Sequence, residues 1–150
     1  MGAAIDLRTL RFGVEVEFGG MTRHTARQVL ATVVGGQVYT GYNGVTGHDG
    51  REWRIVGDFS LKNFPKEQQC ELVTPICSYD DLALVARVID ALRKAGAVID
   101  ERCAIHIHVD AAAFDGHQLA TLAKLTYQQE PLIYAALGIR EFTPGARPEP

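Results

Sequence analysis

Apolar and polar residues alternate along residues 11–18, RFGVEVEF. A period of two residues is typical of a β-strand that has one face against a hydrophobic core. The apolar positions are Phe12, Val14, Val16 and Phe18. The opposite face carries Glu15 and Glu17, so the pattern predicts a strand that presents two neighbouring carboxylates.

The same design recurs in residues 103–110, CAIHIHVD. One face of this predicted strand takes Cys103, Ile105, Ile107 and Val109, and the other takes Ala104, His106, His108 and Asp110. A further strand is predicted over residues 69–76, QCELVTPI, and it contains Glu71. Because an uncompensated charge within a strand is costly, we expect Glu71 to have a partner.

Helical periodicity marks three other segments. Residues 22–34 place apolar residues at helical spacing and are followed by two glycines, as is common where a helix ends. Ser78 begins a capping pattern with Asp81 that opens a second amphipathic helix. Residues 116–137 form the third helix, in which we expect Pro131 to produce a kink or a restart.

The order of these elements predicts the fold class. Residues 37–58 combine β-prone positions with a stretch rich in Gly, Asn and Asp, which indicates a hairpin around a long loop. The resulting order β-α-β-β-β-α-β-α is typical of an α+β domain. We expect an antiparallel or mixed sheet with helices packed on one face and a polar, ligand-binding face on the other. A chain of 150 residues suits one core, so residues 1–150 are interpreted as a single domain with an irregular tail over about 139–150.

Charge and composition narrow the classes of partner. The formal net charge is −3 and the Lys and Arg residues are scattered, so we expect no surface for nucleic acid. No apolar run approaches the roughly 20 residues that span a bilayer, and the N-terminus lacks a signal-peptide pattern. These features predict a cytoplasmic protein without membrane contact. The three cysteines are never spaced as CxxC, which predicts free thiols.

The paired polar side chains indicate a metal site. Glu15 and Glu17 repel each other unless a cation lies nearby, although glutamates are also common on solvent-exposed strand edges. His106 and His108 suit a metal or a phosphate, and they could equally bond to neighbouring side chains. With Glu71 the set is rich in oxygen and poor in imidazole, which favours Mg²⁺ or Mn²⁺ over Zn²⁺, and Mg²⁺ commonly acts with the phosphates of ATP.

Five segments together resemble successive motifs of the amidoligase family, in the family's order. This family comprises carboxylate–amine ligases related to glutamine synthetase and glutamate–cysteine ligase. The segments are FGVEVEF at 12–18, WRIVGDFS at 53–60, CELVTPI at 70–76, CAIHIHVD at 103–110 and YQQEPLIYAALGIRE at 127–141. The resemblance implies a glutamine-synthetase-like catalytic core in a truncated or minimal form.

The resemblance also implies roles for individual residues. Divalent cations would be held by Glu15, Glu17, Glu71 and His106, with Asp58 as a further candidate. His108 would contact the nucleotide. Asp58 and Ser60 would lie near the acceptor amine, and Arg140 would meet phosphate or a substrate carboxylate.

The activity implied by this resemblance is ATP-dependent formation of an amide bond. ATP would phosphorylate a carboxylate to an acyl phosphate, which an amine would then attack. The substrates would be an amino acid, a peptide or another small amine together with a carboxylate, and the cofactor would be Mg²⁺ or Mn²⁺. Such a site needs little covalent chemistry from the protein and much control of charge.

Two alternatives stay open at this point. Family members usually continue further, whereas this sequence ends at Pro150. It could therefore be a degenerate ligase-like domain that binds a nucleotide or partner without turnover, or one whose site a second copy or a partner subunit completes. The HxHxD pattern at residues 106–110 resembles the opening motif of metallo-β-lactamase-like hydrolases, but residue 111 is alanine where those enzymes have a histidine. Ala104 also stands where amidoligases usually have glycine.

Overall fold

The computed structural model describes residues 6–39 and 41–138. The chain divides into two compact units, Met1–Asp110 and Ala111–Pro150, and each is described by itself. The elements of the first unit are β1 (Phe12–Phe18), α1 (Arg23–Val34), β2 (Gly44–Thr46), β3 (Glu52–Val56), β4 (Cys70–Val73), α2 (Leu82–Lys94) and β5 (Ile105–Val109). The second unit contains the helix α3 (Gly116–Leu137).

The strands of the first unit form one open sheet in the order β2-β3-β4-β1-β5. Every pair of neighbouring strands in this described sheet is antiparallel. The two most strongly alternating strands, β1 and β5, are therefore neighbours, and β4 lies on the other side of β1. The predicted α+β class and antiparallel sheet are confirmed.

One face of β1, β2, β3 and β4 contributes to the hydrophobic core, whereas the apolar residues of β5 on that side, Ile105, Ile107 and Val109, are exposed, unlike the packed face predicted for this strand. The register pairs Val16 with Leu72 and Leu72 with Ile55, which aligns the apolar positions of β1, β4 and β3. Leu30 of α1 and Val88 of α2 belong to the same buried cluster, and both are fully buried. The opposite face consequently receives the polar positions of these strands.

Local signals set the helix boundaries. The side chain of Thr22 accepts a hydrogen bond from the amide of Thr25 and caps α1. Gly35 ends α1 with φ at 72°, and a Cβ there would lie 1.8 Å from the ring of His48, so only glycine fits. The predicted capping box of Ser78 with Asp81 is present at the 3-10 turn that leads into α2.

Four details differ from the sequence interpretation or fall outside the described residues. The hairpin consists of β2 and β3 joined by residues 47–51, so the β-prone positions near Val38 remain outside any strand. Cys103 precedes β5 and is half-exposed, so it does not lie on a packed strand face as we expected. Helix α3 continues through Pro131 without a restart. Arg140 and the expected irregular tail lie outside the described residues.

Helix α3 of the second unit has signals at both ends. Asp115 and Gln118 form a reciprocal capping box at its start, and Gly138 ends it in the left-handed conformation with φ at 69°. Among the helices of the described residues, none has the length and apolar character that crossing a membrane requires.

Candidate metal centre

The strand register brings the predicted ligands together on the polar face of the sheet. Glu17 of β1 lies opposite Glu71 of β4, and Glu15 lies opposite His106 of β5. Residues directly opposite each other on antiparallel strands project to the same face. Since β1 runs between β4 and β5, ligands from three strands converge around Glu15 and Glu17.

Two groups of side chains have the spacing needed to bind a cation. In each group, one ligand atom from every residue lies within 4.8 Å of the others. The first group is Glu15, Glu71 and His106, and the second is Glu17, Asp58 and Glu71. Glu71 belongs to both groups and lies between them. Four carboxylates and one imidazole form the combined set, a chemistry that suits Mg²⁺ or Mn²⁺.

Glu15 connects the metal groups to both histidines of β5. Its Oε2 atom lies 3.2 Å from Nδ1 of His106 and 3.4 Å from Nε2 of His108. Hydrogen bonding to His108, and secondarily to His106, lowers the pKa of Glu15. Glu15 is therefore ionised at neutral pH. The side chains of both histidines are more than half exposed, so their rings are accessible to a ligand above the sheet.

Glu17 is fixed by the segment that leads into β5. Only 4% of Glu17 is exposed, and its Oε2 accepts a hydrogen bond of 2.8 Å from the amide of Ala104. The carbonyl of Ala104 in turn accepts a hydrogen bond from the amide of Glu17. Burial raises the pKa of the Glu17 carboxyl, and its contact with the Asp58 carboxyl acts in the same direction.

Asp58 enters the site from the loop after β3. Its Oδ1 accepts a hydrogen bond of 2.8 Å from the amide of Ser60, which makes a tight turn. This bond lowers the pKa of Asp58 and keeps it ionised, although partial burial opposes the effect. Ser60 is exposed beside Asp58. The Asp-x-Ser segment thus supplies one carboxylate to the second metal group and one hydroxyl at its margin.

Glu71 shows why this cluster favours a cation. Partial burial raises the pKa of Glu71, and the negative charges of Glu15, Asp58 and Glu17 raise it further. A divalent cation between the carboxylates would attract each of them and so offset their mutual repulsion. The donor set therefore fits Mg²⁺ both in its chemistry and in its excess negative charge.

A cavity of about 430 Å³ adjoins the metal groups on the side of His108. Gly13 forms part of its floor, and no atom lies within 4 Å of the position that a Cβ would take there. Apolar side chains from the end of β4 and the residues after it, Val73, Pro75 and Ile76, contribute to its walls. The Arg11 guanidinium binds the Asp110 carboxylate at its rim, with Nε 3.0 Å from Oδ2.

A family model described as "Putative amidoligase enzyme" matches residues 8–143. The chain belongs to the amidoligase family. The match covers β1 through α3 and therefore every strand that contributes to the metal groups. No curated protein and no solved structure matches the chain.

The structure places most of the site residues predicted for this amidoligase in one region. Glu15, Glu17, Glu71 and His106 belong to the metal groups together with Asp58, and His108 lies at the cavity beside them. Arg140 falls outside the described residues, so its role stays a prediction. Among the described residues, Asp110 belongs to neither metal group and instead pairs with Arg11, unlike the third ligand of an HxHxD motif.

Sequence reasoning missed the cavity of this amidoligase. Gly13 forms part of the cavity floor, and the alternating pattern of β1 shows it only as a position without a side chain on the polar face. Its rim depends on the contact between Arg11 and Asp110, which lie 99 positions apart along the chain. The missing side chain at Gly13 was the available signal, because glycine within a strand often marks a close approach by a ligand or another chain segment.

Proposed function

We propose that this amidoligase is an ATP- and Mg²⁺-dependent carboxylate–amine ligase that forms an amide bond through an acyl phosphate. The observation that carries the proposal is the pair of metal groups that share Glu71, in a chain whose family is that of amidoligases. We further propose that the five-stranded antiparallel sheet corresponds to a glutamine-synthetase-like catalytic core. The clustering of carboxylates on its polar face supports this assignment.

The two sides of the metal centre suit different parts of the reaction. Bound divalent cations would neutralise the charge of the phosphates during transfer. The cavity next to His108 offers apolar walls for a nucleotide base, and in its protonated form the His108 ring can donate a hydrogen bond from Nδ1 to a phosphate oxygen. Glu15 orients that ring through its contact with Nε2. We therefore assign the nucleotide to the cavity and the acceptor substrates to the side of Asp58.

The reaction requires two bond exchanges. An oxygen of the substrate carboxylate attacks the γ-phosphorus of ATP, the bond between this phosphorus and ADP breaks, and an acyl phosphate forms. The amine nitrogen then attacks the acyl carbon, and phosphate leaves with its bonding electrons. Asp58 is ionised at neutral pH and can attract the ammonium form of the amine before the amine loses its proton.

Ser60 and Arg140 complete the proposed assignments. The Ser60 hydroxyl lies beside Asp58 and is available to hydrogen-bond to the amine. Arg140 would clamp the transferred phosphoryl group or a substrate carboxylate, since a guanidinium matches the geometry of both anions.

Trapping of the acyl phosphate by hydroxylamine tests the proposal without knowledge of the natural amine. The full chain would be incubated with ATP, Mg²⁺, hydroxylamine and a panel of carboxylates, with hydroxamate and ADP measured together. We expect hydroxamate that disappears when EDTA removes the metal. Glu71→Gln should lower the rate by about 100-fold or more, because both metal groups lose a ligand. The control Glu67→Gln changes an exposed glutamate outside both groups and should leave the rate unchanged.

A second variant tests the place of the nucleotide. Gly13→Leu puts a side chain into the open floor of the cavity and should abolish Mg²⁺–ATP binding in calorimetry while the protein stays folded. Binding of ATP without any hydroxamate would instead support a degenerate, non-catalytic ligase-like domain. Failure of the wild-type chain to bind either Mg²⁺ or ATP would overturn the proposed function.

A further inference from the structure

The polar face of the sheet extends beyond the metal groups to β3 and β2. Arg54 of β3 lies opposite Val73 of β4, and Val73 lies opposite Glu15 of β1. All three residues therefore project to the same face. Because neighbouring strands are about 4.8 Å apart, the backbone of Arg54 lies about 10 Å from that of Glu15 across the sheet.

Arg54 differs from the arginines that form ion pairs in the described part of the chain. Arg11, Arg51 and Arg93 each bind an aspartate there. No carboxylate of the described residues lies within 4.0 Å of the Arg54 guanidinium, and Arg54 is exposed. A guanidinium presents five donors in a planar fork, which suits the bidentate binding of a carboxylate.

The neighbours of Arg54 show what surrounds it on the polar face of the described sheet. Gly44 lies opposite Arg54, and a Cβ on Gly44 would lie 2.6 Å from the ring of Tyr42, so this ring covers the polar face there. Glu52 lies two residues before Arg54 on the same face. Hydrogen bonding to Glu52 raises the pKa of Tyr42, while the charge of Arg54 acts in the opposite direction. The Glu52 carboxylate therefore lies close to the Tyr42 hydroxyl, and the charge of Arg54 acts on the same hydroxyl.

An apolar floor separates Arg54 from the carboxylate cluster. Val73 lies between Arg54 and Glu15, and Val56 lies opposite Glu71 in the next row of the sheet. Both valines are half-buried and present their methyl groups on the polar face. A short methylene chain could therefore lie over them with one end at the metal groups and the other at Arg54.

We propose that Arg54 determines specificity by binding a second carboxylate of the acid substrate, so that the substrate is a dicarboxylic acid. One carboxylate reacts at the metal groups, the methylene chain lies over Val73 and Val56, and the other carboxylate binds the guanidinium. This inference rests on the proposed function for the identity of the reacting end. The contact with Arg54 lies outside both metal groups and outside the lining of the nucleotide cavity, although Val73 borders that cavity as well.

Calorimetry with paired probes tests the inference independently of turnover. Glutarate and butyrate share a short chain but carry two carboxylates and one, respectively. Each would be titrated into the full chain with Mg²⁺ and a non-hydrolysable ATP analogue present. We expect the wild type to bind glutarate about 10- to 100-fold more tightly than butyrate. This is the gain in affinity expected from a charge-assisted hydrogen bond between the second carboxylate and Arg54.

Three variants decide whether Arg54 causes this preference. Arg54→Gln should weaken the binding of glutarate to the level of butyrate and leave butyrate unchanged. Arg54→Lys should keep part of the preference, because it retains the charge without the fork. The control Arg87→Gln changes an exposed arginine on α2 and should behave like the wild type. Equal binding of the two acids by the wild type, or an unchanged preference in Arg54→Gln, overturns the inference.

Turnover separates this inference from the proposed function. In the hydroxamate assay, Arg54→Gln should raise KM for glutarate by about 10-fold or more with little change in kcat, as expected for loss of a uniform binding contact. Arg54-dependent glutarate binding without any hydroxamate would overturn the proposed ligase activity and keep the dicarboxylate site. Hydroxamate formed equally from both acids, and unaffected by Arg54→Gln, would support the ligase and refute the role of Arg54.

Discussion

Glu71 is the residue on which the electrostatics of the metal centre depend. It is half-buried and lies in both metal groups, so it meets the negative charges of three other carboxylates. No local feature of β4 compensates this charge, because its strand neighbours are apolar. We expect a bound cation to offset this charge, because an uncompensated, partly buried carboxylate lowers the stability of the folded protein.

This argument predicts that Glu71→Gln stabilises the metal-free protein. The pKa of Glu71 is raised in the folded state, so its ionised form opposes folding at pH values above its unfolded pKa. We expect a gain of roughly 0.5 to 1 kcal/mol at pH 7, since partial exposure screens the repulsion. Urea denaturation in EDTA measures it. The wild type should approach the variant as the pH falls through the folded pKa of Glu71, and a less stable variant at pH 7 would contradict the argument.

At the scale of secondary-structure elements, one arginine connects the β2–β3 hairpin to the start of α2. Arg51, in the hairpin loop, contacts both oxygens of Asp81 at 2.7 and 2.9 Å and also binds Asp49. It donates a further hydrogen bond to the carbonyl of Ile76, which contributes to the wall of the cavity. Asp81 meanwhile caps the helix with Ser78. This network joins a structural cap to the wall of the proposed nucleotide site.

We predict that Asp81→Ala destabilises the protein by about 2 kcal/mol, because it removes the cap and leaves the Arg51 guanidinium without its bidentate partner. The Arg51 guanidinium holds the pKa of Asp81 well below its usual range. The contribution of Asp81 to the free energy of unfolding should therefore be present above the pKa of Asp81 in the unfolded chain. It should be lost as the pH falls toward the lower pKa of Asp81 in the folded protein. Urea denaturation compares the variant with Asp80→Ala, which changes an exposed neighbour. Equal stability of the two variants would refute the role of the network.

At the scale of the whole molecule, the side chains of the metal groups come from central strands and from one edge strand of the described sheet. Their ligands come from β1, β4, β5 and the loop after β3. Binding of a cation would therefore couple to the pairing of several strands rather than to one loop. Since a ligand that binds only the folded state stabilises it by mass action, this arrangement makes cation binding visible in global unfolding.

We predict that Mg²⁺ or Mn²⁺ raises the Tm of the full chain in a concentration-dependent manner. At 100 times the dissociation constant the gain would be about 2.7 kcal/mol, and a shift of several degrees should be measurable by calorimetry. K⁺ at equal ionic strength is the control for general screening. Glu71→Gln should reduce the response strongly. A Tm that rises equally with K⁺, or equally in the variant, would show that the groups bind no specific cation.

The sequence by itself determined which residues share a face of the central strands and where the helices begin and end. The alternation in β1 and β5 assigned Glu15, Glu17, His106 and His108 to polar faces, and the helix caps at Thr22 and Ser78 were readable from their spacing. These properties follow from periods of two and 3.6 residues and from contacts within one turn. The chemistry of the candidate ligands was accessible for the same reason, because residue type and spacing are local properties.

Only the tertiary structure decided which residues meet. It placed β1 between β4 and β5, set Glu71 between the two metal groups, and brought the Ala104 amide to Glu17. It also started β5 at Ile105, so that Cys103 lies before the strand. Strand order and register depend on pairing between distant segments and on the packing of one whole face, and a shift of one residue would exchange the two faces. That dependence on distant contacts is why the walls and rim of the cavity and the position of Arg54 could not be predicted from the sequence, even though Gly13 marked its floor.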